Sequence, residues 1–70
     1  MALSSSALLP LAQMMGLTLA DAIALPTVMA VASAKASITE DRLMFEALGN
    51  DALRDYLAAA CRKAIAEVMA

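Results

Sequence analysis

The chain has seventy residues, 63% of them hydrophobic, with five basic and seven acidic side chains, so it forms at most one small and unusually apolar domain. A single cysteine, Cys61, excludes an intrachain disulfide, and with no histidine the scattered carboxylates make no structural zinc site. A net charge of −2 argues against binding nucleic acid, which requires neutralised phosphates, and against electrostatic docking on an anionic membrane.

Eighteen alanines and six methionines set the fold class, because alanine, leucine and methionine are the strongest helix formers. β-Branched residues are scarce, and Phe45 and Tyr56 are the only aromatics. The expectation is all-α, with three to four short helices stabilised by packing between chains. Charge is distributed unevenly: residues 1–34 hold only Asp21, and residues 35–70 hold the other eleven charges.

Residues 1–8 carry no start signal and are expected to be loose. Pro10 suits the first turn of a helix, so a short helix is predicted over about 9–15, with Gly16 as a weak stop. Thr18 followed by Asp21 fits a capping signature, with Leu17 as the apolar residue before the cap. It opens a helix over 19–36, in which Pro26 removes a backbone hydrogen bond and forces a kink or break at Leu25–Pro26. Residues 17–37 form an apolar central segment, and from 26 to 37 apolar side chains cover the whole circumference. A helix apolar all round is buried all round, and three sibling helices can hardly enclose it.

Residues 38–70 read as charged amphipathic helices. Ser37 and Glu40 form a Ser-x-x-Glu capping box for a helix over 39–48, with Leu43, Met44, Ala47 and Leu48 as its apolar face. Gly49 is placed to end it in the left-handed conformation, and Asn50 to cap a helix over 51–69. In that last helix Leu53, Leu57, Ala60, Ala64 and Val68 make one stripe with Cys61 on its margin, while Asp51, Asp55, Ala58 and Arg62 lie opposite. Ile65 and Met69 fall outside the stripe, either as a second contact surface at the C-terminal end or as an ordinary exposed apolar pair.

No spacing in the chain carries chemistry. Catalytic, cofactor and metal residues are all assigned as none: Cys61 reads as a small packed side chain, and two glycines build no phosphate loop. The charge-free run from Ala22 to Ala34 is 13 residues and contains Pro26, against about 20 apolar residues for a membrane span. No basic flank marks a signal peptide, so a cytoplasmic location is expected.

The function expected is a non-enzymatic, self-assembling structural subunit: a homo-oligomer, filament or ribbon whose partners are copies of the same chain. The second reading is a small accessory subunit that docks its apolar helix on a larger protein; the third is a membrane-embedded or membrane-active peptide. The candidate interface is Leu25, Val28, Met29, Val31 and Ala32 on the central helix, together with Leu53, Leu57, Ala60, Ala64, Ile65, Val68 and Met69 on the last.

Overall fold

The computed structural model describes residues 5–70, with side chains from Leu8 onward. Their fold is all-α: α1 (Ser5–Met14), α2 (Leu19–Ala22), α3 (Leu25–Ala36), α4 (Glu40–Leu48) and α5 (Asp51–Met69). α3 packs against α1, α4 and α5, and α5 packs against α2, α3 and α4.

α1 begins earlier than Pro10 predicts. It starts at Ser5 and carries Pro10 in its interior, at the cost of one intrahelical hydrogen bond. Leu8, Leu11 and Ala12 lie at helical spacing and are buried, while Pro10 faces solvent. Burial of that stripe outweighs the missing bond. The expected loose segment therefore does not extend through residues 5–8, and residues 1–4 lie outside the described part of the chain. Gly16 ends α1 as expected: its φ is 66°, its amide donates to the Gln13 carbonyl, and the Leu17 amide donates to that of Ala12.

The helix expected over 19–36 is two helices. Thr18 Oγ1 accepts from the Asp21 amide at 3.1 Å, as its capping signature predicts. α2 then ends after one turn, and the break falls at Ile23–Ala24, ahead of the expected Leu25–Pro26 position. A proline cannot donate to the preceding turn, so Pro26 serves in the opening turn of α3 instead of kinking a longer helix.

α3 is not enclosed on all sides within its own chain. Leu25, Met29 and Ser33, four residues apart, are buried; Val28 and Ala32 flank them, and Ala30, Val31 and Ala34 are exposed. The Ser33 hydroxyl donates to the Ala30 carbonyl at 3.0 Å, so its burial leaves no unpaired donor.

The α3–α4 connection corrects a second expectation. Ser37 does not cap α4; it terminates α3 in the left-handed conformation, with φ 57° and ψ 40°. Its amide donates to Ala34 and that of Ile38 to Ser33, closing the pattern that usually ends on glycine. The cap of α4 is Thr39, whose Oγ1 accepts from the Arg42 amide at 3.0 Å. Gly49 follows α4 with φ −107°, outside the left-handed region, so glycine's special freedom is not used there. The α4 carbonyls are satisfied from α5 instead: Arg54 Nη1 donates to Ala47 and Leu48 at 2.7 and 2.8 Å, and its Nη2 pairs with Asp51. Asn50 caps α5 as expected, accepting from the Leu53 amide at 3.0 Å.

The buried face of α5 is rotated from the expected stripe. Leu57, Ala58 and Cys61 are buried and Ile65 packs against the core, whereas Ala60 is only half-buried and Val68 is exposed. A four-three spacing describes a seam with one partner. α5 touches three helices, and that contact needs a wider arc.

Two consequences are measurable by urea unfolding. Ser37→Gly removes the left-handed penalty and is expected to stabilise the chain by about 1 kcal/mol. Arg54→Met keeps the aliphatic stem but leaves the α4 carbonyls without their charged donor, and is expected to cost about 2 kcal/mol.

Candidate interaction surfaces

The expected interface residues divide into two groups. Leu25, Met29 and Leu57 are fully buried in the chain's own core and cannot meet another molecule without unfolding. Val28, Ala32, Leu53, Ala60, Ala64 and Ile65 are half-buried, and Val31, Val68 and Met69 are exposed. Periodicity identifies residues that need burial but does not say which chain supplies it.

Val28, Val31, Ala32, Ala60 and Ala64 meet in one place, a shallow groove between α3 and α5 of about 260 Å³. Thr27, Lys35 and Tyr56 complete its lining. The last turn of α5 carries Val68 at 81% and Met69 at 78% exposure.

A second groove, of about 280 Å³, has no expected interface residue in its wall apart from Leu25. Leu8, Leu9 and Ala12 of α1, Leu19, Ala22 and Ile23 around α2, and Leu25 and Pro26 of α3 line it, without one charged side chain. Leu19 is 85% and Ile23 75% exposed. The sequence contains a signal for this surface. Thr18 starts a helix and Pro26 starts another, which leaves room for one turn between them. A single turn buries one side only, so its remaining apolar residues must face outward.

Cys61 is wholly buried; burial pushes its thiol above its ordinary value of 9.0, the nearby Asp21 charge adds to the rise, and Arg62 opposes it. The raised direction is opposite to that of an activated nucleophile. Among the described residues, no group of three or more cysteine or acidic side chains is placed to hold a metal ion. No helix among them is long and apolar enough to cross a membrane.

The class of protein this defines is a small all-α domain with a closed core and open apolar grooves. No family model, no curated protein and no solved structure matches the chain.

Cys61 supplies a test of the core. The native thiol is expected to react with a disulfide reagent about a hundredfold or more slower than the unfolded chain, since reaction requires opening. Below pH 9 both states keep the thiol proton; above it the unfolded chain ionises first, so stability falls as pH rises through the folded thiol's higher pKa. The difference in melting temperature between the chain and Cys61→Ala is expected to stay constant from pH 8 to about 9 and to shrink as pH rises further toward 11, because only the native chain loses the thiol's contribution.

Proposed function

We propose that the chain is a non-enzymatic structural subunit that works by helix-to-helix contact with further copies of itself, in a homo-oligomer, filament or ribbon. The observation that carries this reading is the charge-free groove beside α2, with Leu19 and Ile23 projecting at its edge. Large apolar side chains scattered singly over a surface need no explanation, but a contiguous patch marks a contact site.

A second copy suits the patch on grounds of chemistry and size. Its wall offers no charge for a charged partner to pair with, and the same chain presents exposed apolar turns of matching character, such as Val68 and Met69. A standard interface takes about 800 Å² from each partner. That is under a fifth of the 4532 Å² the single chain exposes. The 7.2 kDa chain has one cysteine and so no intrachain disulfide, and its described residues form no metal-binding group; association is a further route to added stability.

Light scattering on the full chain from micromolar to millimolar concentration tests the reading. The expected result is a mass that is a multiple of 7.2 kDa, or a polymer, with Ile23→Asp shifting the population toward smaller species at unchanged helicity. A folded monomer at every concentration overturns it.

A further inference from the structure

The outward face of α5, bordered by Tyr56 at the α3–α5 groove, has a symmetry that none of the chain's ion pairs at Arg42–Glu46 and Arg54–Asp51 uses. Ala52, Ala59 and Ala66 recur every seven residues; seven residues fall about 20° short of two turns, so the three lie nearly in line. Asp55 and Tyr56 stand between the first pair, Arg62 and Lys63 between the second. All seven residues are exposed. Arg42 pairs with Glu46 and Arg54 with Asp51, and among the described residues no ion pair engages Asp55, Arg62 or Lys63.

We propose that this face pairs antiparallel with the same face of a second copy, about a two-fold axis passing beside Ala59. This rests on the self-assembly reading above and assigns it one contact. The argument is charge complementarity. Such an axis places each residue before Ala59 against one a similar distance after it, on the same edge of the helix pair. Asp55, four residues before, meets Arg62 of the other copy, three after; by the same rule Tyr56 meets the second copy's Lys63. Both pairs occur twice, and no like charges face one another: Asp51 and Glu67 lie on opposite edges of the contact. A parallel pairing loses this match, because it sets Asp55 near Asp55 and Arg62 near Arg62.

The alanines make the approach close. Helix axes pack about 8–10 Å apart according to the side chains between them, and alanine on both sides permits the short end of that range. At that distance the two aspartate–arginine pairs bridge one edge of the seam, and at the other edge each lysine ammonium comes within reach of a tyrosine ring. The contact is isologous, so it closes at two copies; the groove beside α2 remains free to join such dimers into larger assemblies.

Charge swapping tests it on the full chain, with circular dichroism confirming the fold of each variant. Asp55→Arg alone and Arg62→Asp alone each place like charges across the axis, and are each expected to weaken self-association about tenfold by sedimentation. An equimolar mixture of the two variants restores opposite charges in both aspartate–arginine pairs, and is expected to recover association to within about threefold of the original. Ala59→Cys is expected to form a disulfide-linked dimer under mild oxidation, with buried Cys61 unreacted. If the original chain assembles and both single variants assemble equally well, the α5 pairing is wrong while self-assembly stands. If the single variants weaken but their mixture does not recover, the antiparallel register is wrong. If the original chain stays monomeric at millimolar concentration, both proposals fall.

Discussion

Everything in this fold depends on burying one stripe of α3. Leu25, Met29 and Ser33 stand four residues apart on a helix that α1, α4 and α5 all touch, and Met29 is wholly enclosed. The partners answer it with small side chains: Ala12, Ala47, Ala58 and Cys61 are buried beside leucines, and no aromatic ring enters the core. Cohesion of this kind comes from many short contacts between closely approaching backbones. An unbranched methionine at the centre suits it, because its three rotatable bonds fill the irregular space that alanines leave.

Short helices raise a second demand. In a helix of four to nineteen residues, a large share of backbone amides and carbonyls lies within a turn of an end and lacks an intrahelical partner. The chain answers locally at nearly every junction. Thr18, Thr39 and Asn50 receive the free amides of three helices. Gly16 and Ser37 close α1 and α3 through left-handed turns, and Arg54 reaches back from α5 to the end of α4. Among the described residues no buried side-chain donor or acceptor is left without a partner. The Arg54 contact also ties the end of α4 to the first turn of α5.

A core made of small residues leaves much of the apolar surface outside. Phe45 and Tyr56 both face solvent, as do Leu19, Ile23, Val68 and Met69. Five short helices cannot wrap all of the apolar residues this composition supplies, and what remains outside lies along grooves and helix faces suited to other helices. The proposed function rests on this division: the chain folds on its α3 stripe, and the apolar surface left over is the surface proposed for association. In the proposed pairing, charge on the outside of α5 selects the register, which apolar contact by itself does not.

Much of this was legible in the residues. The all-α class, the caps at Thr18 and Asn50, the stop at Gly16 and the extents of α4 and α5 follow from local stereochemistry, which a sequence carries directly. Other features required the assembled fold. Pro10 stands inside α1 because distant helices reward the burial of Leu8 and Leu11. Ser37 takes a left-handed turn because the Schellman bonds and the packing of Ile38 hold it there, leaving Thr39 to cap α4. The buried face of α5 widens toward Ala58 and Ile65 because three helices surround it, and no period along the chain records how many neighbours a helix has. The sequence by itself determined that the chain is helical and where most of its helices start and stop, because caps and propensities are local. Tertiary structure decided that Leu25, Met29 and Leu57 leave water inside their own chain while Leu19 and Ile23 do not, because the space beside α3 is filled once the nearest helices have closed on it.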